Sequence, residues 1–509
     1  MTGLKTDPTL VDGAGRTGGT SGDRERRMGE LRDLRDWLAL VEDLGELAPV
    51  FGAHWDLEIG AVSEANYRRP SPRALLFDDV PGYASGSRVL SASMSNARRL
   101  GLTLRLGTDL DDRALVAALR HKPAQWVRDA DRFPPRYVTD GPVRENIDRG
   151  DQVDLLKFPV PRWHEGDGGR YIGTGCAVFT TDPHTGVVNA GAYRMQVQDD
   201  GRAASVNIES GKHGAMHVRE WFAREGRAPV TAALGMDPLL LVVAGTEVPR
   251  DLSELDYAGA VLGRPVEVIR GEVTGLPIPA GAEIAVEGWL YPDERRPEGP
   301  FGEWTGYYSG GVEPVLTMQV ERVYYRNNPV LLGAPPGKPP HDYSYMRSVM
   351  KSAMIHDALA STGLPGLHQV WAHEAGGGRQ LLAVSIEQQY AGHARQTALL
   401  TSQLPAAAYM NKFVVVVDHD VEPRDLTELM WAVCTRTEPG RDIDILRETW
   451  GSRVDPLREP GAPAYNTRAV IDACRPFERL ADFPKVAEAR RGLIDEVTRK
   501  WPDVLGGGT

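Results

Sequence analysis

Glu298 and Glu303 sit five positions apart in Glu298-Gly-Pro-Phe-Gly-Glu303, and Trp304-Thr-Gly-Tyr-Tyr308 follows directly. Gly299 and Gly302 allow backbone shapes closed to other residues, and Pro300 fixes one dihedral. Such a turn can aim both carboxylates into one pocket. Two carboxylates in a shared, partly dry site acquire different pKa values, so one holds a proton while the other stays charged. That arrangement suits acid/base chemistry. A surface turn with solvated glutamates is the plain alternative, but such turns seldom carry so many large rings.

Other groups lie nearby in the chain. Asn189-Ala-Gly-Ala-Tyr-Arg194 reads as a strand whose ends face opposite ways unless a bulge, for which Gly191 is suited, brings them together. Arg194 would then pair with Glu298 or Glu303, or else form a strand-edge surface salt bridge. In Lys212-His213-Gly-Ala-Met-His217 the two histidines are at helical spacing. They could share a metal, or one could be a ligand and the other structural. Gly214 is a poor helix-interior residue and favours the second option. Ser253-Glu254-Leu-Asp256 adds a carboxylate. Glu254, His213 and Asn189 together would suit Mn2+ or Mg2+ rather than a thiolate-seeking metal, while a solvated Glu254 on a loop is the bland alternative.

These residues need a framework to position them. At 509 residues the chain is too long for a single core. Residues 1–28 read as a disordered tail, whose Gly13, Gly15 and Gly18 do not make a dinucleotide site because no strand precedes them. Residues 29–155 read as an N-terminal α/β domain opening with a helix over Leu31–Leu44 and Gly45 at its end. Residues 156–340 are mainly β, with expected strands at Tyr171–Thr181, Val188–Gln198, Ala204–Ser210, Val266–Val273, Glu283–Leu290 and Val315–Leu332, the last interrupted by a turn at Asn327-Asn328. A helix is expected to start with Pro238 after Asp237. This pattern suggests a barrel-like domain. Residues 341–480 read as a C-terminal α/β domain, with helices at Tyr345–Thr362 and Asp425–Thr435 and a buried strand at Phe413–Val417. Residues 481–509 hold a last helix, Val486–Lys500, suited to docking on a neighbouring subunit, and a tail.

The net charge of −12 and the lack of a basic stripe argue against nucleic acid. No run approaches the roughly 18 apolar residues of a membrane span. Cys176, Cys434 and Cys474 form neither a disulfide framework nor a metal spacing, which fits a reducing cytoplasm.

The Asn189–Arg194 string, Lys212-His213, Ser253-Glu254 with Ala258-Gly259, and the Glu298–Glu303 turn occur in one order that resembles the UbiD family of reversible decarboxylases. Asp418-His-Asp-Val-Glu-Pro-Arg-Asp425, Trp431-Ala-Val-Cys-Thr-Arg436, Asp33-Leu-Arg-Asp-Trp-Leu38 and Gly45-Glu-Leu47 extend the likeness over roughly residues 30–480. The resemblance implies a mixed α/β fold whose central split β-barrel binds prenylated FMN. It also implies catalytic roles for Arg194, Glu298 and Glu303, with Glu303 donating the proton that replaces CO2. Asn189, His213 and Glu254 would hold Mn2+ or Mg2+ at the cofactor phosphate, with K+ nearby. Arg194, Lys212, Lys412 and Arg436 would contribute to the cofactor site, although Lys212 stands where some members carry glutamine. The implied partners are an aromatic, heteroaromatic or α,β-unsaturated carboxylic acid, a UbiX-type flavin prenyltransferase as cofactor supplier, and further copies of the chain in a homodimer or homohexamer. A non-catalytic flavin-binding or storage protein would not require Glu298, Glu303 and Arg194 together. An FMN oxidoreductase on a split barrel lacks support from any nicotinamide fingerprint.

Overall fold

The computed structural model describes residues 21–459 and 461–505. The glycine triplet at 13–18 and the tail 506–509 lie outside the described residues. Within the expected disordered tail, Ser21–Glu30 is instead a helix. Arg26 pairs with Glu30 one turn on at 3.1 Å, and Arg27 pairs with Asp43 of the next helix. These charge pairs offset a composition that reads as disordered.

The helix Leu34–Asp43 starts where the Asp33 carboxylate accepts the backbone N–H groups of Arg35 and Asp36, and it buries Leu34, Trp37, Leu38, Leu40 and Val41. Its Arg35 forms a two-pronged ion pair with Glu283, whose side chain is fully buried, and Arg326 adds a third contact at 3.2 Å. This network fixes the first helix to the central sheet. A four-stranded sheet follows in the order Leu47–Phe51, Ala74–Asp78, Arg88–Ser91, Val330–Leu332. Its last strand lies parallel to Arg88–Ser91 although it comes from the far end of the central region.

The central region is built on a ten-stranded sheet. Its main path runs Tyr171–Gly173, Met195–Gln198, Ala203–Val206, Glu313–Tyr325, Ile284–Leu290, Ala228–Ala233, Ala177–Thr181, Val188–Gly191. The described pairings leave Tyr171–Gly173 and Val188–Gly191 at the two ends of that path, without closing a barrel. Glu313–Tyr325 is the spine, and Arg295–Glu298 and Asn146–Arg149 also pair with it. Its register against Ile284–Leu290 slips at Gly288, where a Cβ would lie 1.9 Å from the Gln319 carbonyl oxygen. Two long strands read from the sequence are each interrupted: Tyr171–Thr181 by Thr174–Cys176, and Val188–Gln198 by Ala192–Arg194.

In the C-terminal region Phe413–Asp418 runs parallel to both Leu381–Ile386 and Tyr465–Ala473. Val414 and Val416 pack with Ala394 and Ala398, and Val415 and Val417 with Leu429 and Ala432. Helices thus cover both faces, which is why this strand reads as a continuous apolar run. The expected helices are observed as Pro238–Ala244, Asp342–Ser361, Leu426–Arg436 and Arg491–Lys500. Among the described residues no helix is long and apolar enough to cross a membrane.

Candidate active site

Glu298 ends the strand Arg295–Glu298, and Gly299 follows at φ 95, a conformation that favours glycine. The Gly299 N–H donates to Gln196 Oε1 at 3.1 Å, and the Gly168 N–H donates to the Pro300 carbonyl at 2.8 Å. Phe301 stacks on Tyr171 with ring centroids 3.8 Å apart. The chain then closes a tight turn in which the Glu303 N–H donates to the Tyr307 carbonyl at 2.9 Å and the Gly306 N–H to the Glu303 carbonyl at 2.8 Å. The Tyr308 hydroxyl ties the end of this loop to Asp167 at 3.1 Å.

Both carboxylates meet at Arg194. Its Nε and Nη2 each donate to one oxygen of Glu298 at 2.9 Å, and its Nη1 donates to Glu303 Oε1, also at 2.9 Å. Glu298 is 1% exposed and also accepts the Tyr171 hydroxyl at 3.0 Å and the Asn207 amide at 2.9 Å. Its two oxygens thus accept two guanidinium bonds and two neutral donors. Glu303 has one arm of the arginine, and burial pushes its pKa up against the pull of Arg194. For Arg194, burial opposes the charge, but the bonds and charge of Glu298, with Glu303, outweigh it and raise its pKa. The pair is therefore unequal: Glu298 accepts two arginine bonds and two neutral donors, whereas Glu303 accepts one arm of the arginine and has a raised pKa.

Of the candidate metal ligands, Asn189 bonds Tyr193, Glu254 bonds the residue beside Asn189, and His213 precedes Gly214, which bonds Tyr193 through its N–H. Between Val188–Gly191 and Met195–Gln198 the chain leaves the sheet, and the Ala192 N–H donates to the Ala244 carbonyl at 3.0 Å. This break resolves the facing problem between Asn189 and Arg194. The Tyr193 hydroxyl accepts the Asn189 amide at 3.4 Å and the Gly214 N–H at 3.3 Å. Its ring needs two glycines, since a Cβ on Gly191 would lie 2.2 Å from it and one on Gly214 2.8 Å. His213 begins the helix His213–Glu225, so Gly214 falls in the first turn, where its low helix propensity costs little. His217 faces the core, with Nδ1 3.2 Å from the Thr180 hydroxyl. Glu254 begins the helix Glu254–Leu262, and its Oε2 accepts the N–H of Ala190, beside Asn189, at 2.8 Å.

This donor set fits a divalent cation. Glu254 is 4% exposed, and burial pushes its pKa up to about 7. Among the described residues it has no cationic partner. Burial lowers the pKa of His213, which favours the neutral form that a metal would require of an imidazole. Among the described residues no group of three His, Cys, Asp or Glu side chains is placed to hold a metal, and the candidate set has only two such side chains, Glu254 and His213, beside the Asn189 amide.

The remaining candidates are placed elsewhere. Lys212 precedes the His213 helix and lies 3.6 Å from Glu247, both largely exposed. Lys412 is bound to buried Asp455 at 2.8 Å. Arg436 is buried and bonds Asp418 at 3.0 Å and Asp420 at 2.9 Å. Both cations are paired with aspartates of the C-terminal region. Tyr171, Asn207 and Tyr193 were not singled out in the sequence. Tyr193 carried a signal, as the one large side chain between Gly191 and Arg194, whereas Asn207 carried none.

Three family models match in succession. The N-terminal domain of 3-octaprenyl-4-hydroxybenzoate carboxy-lyase matches residues 38–119, its Rift-related domain 136–339 and its C-terminal domain 344–473. Fold and site together are those of a carboxy-lyase, and this chain is a decarboxylase. It belongs to the UbiD family. Phenolic acid decarboxylase of Bacillus subtilis (strain 168) is 31% identical over 494 residues, spanning 93% of this chain and 98% of that one. Among solved structures, the UbiD-class enzyme HmfF of Pelotomaculum thermopropionicum in complex with FMN matches with TM-score 0.80 at 29% identity, over 91% of this chain and 99% of that one. Vanillic acid decarboxylase of Sedimentibacter hydroxybenzoicus in its open form matches with TM-score 0.78 at 27% identity, over 94% and 100% of the two chains.

Proposed function

We propose that this protein catalyses the reversible, non-oxidative decarboxylation of an aromatic, heteroaromatic or α,β-unsaturated carboxylic acid with prenylated FMN. Glu303 delivers the proton that replaces CO2. The observation that carries this reading is the unequal sharing of Arg194, two bonds to Glu298 and one to Glu303.

Losing CO2 from an unsaturated carbon leaves an electron pair that no side chain in the site can delocalise. Prenylated FMN, when bound, supplies the electron sink. Asn189, His213 and Glu254 would hold Mn2+ or Mg2+ near its phosphate, the cation taking the place of the proton that Glu254 otherwise binds. Arg194 holds Glu298 with two bonds and aims Glu303 with a third. Phe301 and Tyr171 wall that side of the cluster. In the reverse direction Glu303, ionised, takes the proton from the reactive C–H. The exposed apolar side chains Leu493, Ile494, Trp501, Val504 and Leu505 of the C-terminal segment fit assembly with further copies of the chain.

The test compares protein produced with and without a flavin prenyltransferase, each sample assigned by mass spectrometry. Turnover is expected only with the prenylated cofactor. Decarboxylation by a sample holding plain FMN alone would overturn the reading.

A further inference from the structure

A second group of charges lies beside the acid-bearing turn and is not used above. Arg347 and Lys351 stand one turn apart on the helix Asp342–Ser361, and Arg379 follows the Glu374–Gly378 bend. Among the described residues none of the three forms an ion pair with a carboxylate. Arg347 Nη1 donates only to the Gly377 carbonyl, at 3.3 Å, and Lys351 Nζ to the Ala406 carbonyl at 3.0 Å. The Nε of Arg379 is buried without a hydrogen-bond partner. Burial, with the charge of Arg379 added, pushes Arg347 down to about 9 and Lys351 down to about 8. The acid whose charge acts on both is Glu247, whose side chain is 73% exposed and faces Lys212. It screens the group without neutralising it.

Aromatic rings frame these cations. The Trp304 ring lies 5.4 Å from the Arg347 guanidinium and 5.8 Å from that of Arg379. Tyr343 lies 6.0 Å from Arg347, and Tyr409 lies 4.9 Å from Arg379. Gly377 presses on Trp304 so closely that a Cβ would come within 2.4 Å of the ring. Trp304 directly follows Glu303, so the cations are mechanically joined to the proton donor. Like charges gathered out of water without a counter-ion are costly, and an entering anion removes that cost.

We propose that Arg347 and Arg379, with Lys351 behind them, bind a second carboxylate on the substrate, so that the preferred substrate is an aromatic dicarboxylic acid. This rests on the decarboxylase reading above. One acid group is lost near Glu303 while the other is held at the Trp304 cations. The cofactor phosphate offers the same oxyanion chemistry, but its expected holder is the Asn189, His213 and Glu254 set, at the starts of two other helices.

The experiment titrates cofactor-loaded enzyme calorimetrically with benzoate and with the three benzenedicarboxylates. At least one diacid is expected to bind about tenfold tighter than benzoate, as one charge-assisted contact implies. Arg347→Met and Arg379→Met should remove that preference while flavin content per chain stays at the parent level, and Arg379→Lys should restore part of it. If no diacid binds more tightly than benzoate to the parent enzyme, the proposal falls without recourse to any variant. It also falls if Arg379→Met loses flavin in step with diacid binding, since the cations then hold the phosphate. A diacid preference in an enzyme that exchanges no deuterium into any product would support the binding site and overturn the reaction.

Discussion

Changing Glu303 to glutamine removes a transferable proton and little else. The amide oxygen can still accept from Arg194 Nη1, a bond of 2.9 Å in the parent, and Arg194 keeps both bonds to Glu298. The Glu303 side chain is 20% exposed, so exchanging a charge-assisted bond for a weaker one costs about 1 kcal/mol of stability or less. The effect on rate is much larger. A positioned acid/base group contributes roughly 10²–10⁴-fold. This corresponds to about 3–5 kcal/mol of barrier at roughly 1.36 kcal/mol per tenfold. Microscopic reversibility requires the same residue to remove the proton in the carboxylation direction. The assay is therefore NMR exchange in D2O, following deuterium into the reactive C–H of the product, with flavin content matched between parent and variant. Exchange is expected to drop at least a hundredfold while the melting temperature stays close to that of the parent. Exchange within twofold of the parent at equal flavin loading would refute the assignment, and Glu298 would become the group to examine.

The other predictions concern how the site is held. Glu298→Gln removes a neighbouring negative charge and leaves more of Arg194 for Glu303, so the Glu303 pKa falls. Because the donor must be protonated, the limb of the kcat–pH profile on which activity falls as pH rises should move to lower pH, and a shift to higher pH would contradict the scheme. Glu254→Ala should lose metal and flavin together, as read by elemental analysis and flavin absorbance, and normal contents of both would remove Glu254 from the site. Gly191→Ala forces a methyl to 2.2 Å from the Tyr193 ring and should cost about 1–3 kcal/mol in a thermal melt, with a parallel drop in bound metal. Ending the chain at residue 480 should lower the subunit number seen by light scattering, and an unchanged number would leave the C-terminal helix without a role in assembly.

The carboxylate pair was legible because its chemistry and its geometry lie within one short stretch, and glycine and proline mark the turn. Asn189 and Arg194 were legible as types, but the break in the sheet between them, where the Ala192 N–H bonds the Ala244 carbonyl, involves a residue far along the chain. The long strands were read as continuous because β-propensity does not register where a sheet ends against its neighbours. Within Phe413–Asp418 the four valines 414–417 stood out because helices cover both faces of the strand there, so all four are buried. Arg347, Lys351 and Arg379 were invisible for the opposite reason. On the sequence they are ordinary cations on a helix and a bend, and only the fold strips them of carboxylate partners. The helix Ser21–Glu30 was missed because its stabilising contact with Asp43 is tertiary.

The parallel pairing of Arg88–Ser91 with Val330–Leu332 places two neighbours of one sheet about 240 residues apart in the order of synthesis. At roughly 5–20 residues per second, the first strands leave the ribosome about 12–50 s before the strand that completes their sheet. Through that interval Arg88–Ser91 presents an open edge with Val89 and Leu90 beside it, both fully buried in the finished protein. The N-terminal sheet is therefore completed only after residue 332 has been made. The enzyme's yield in a cell should depend on what shields that edge until residue 332 arrives.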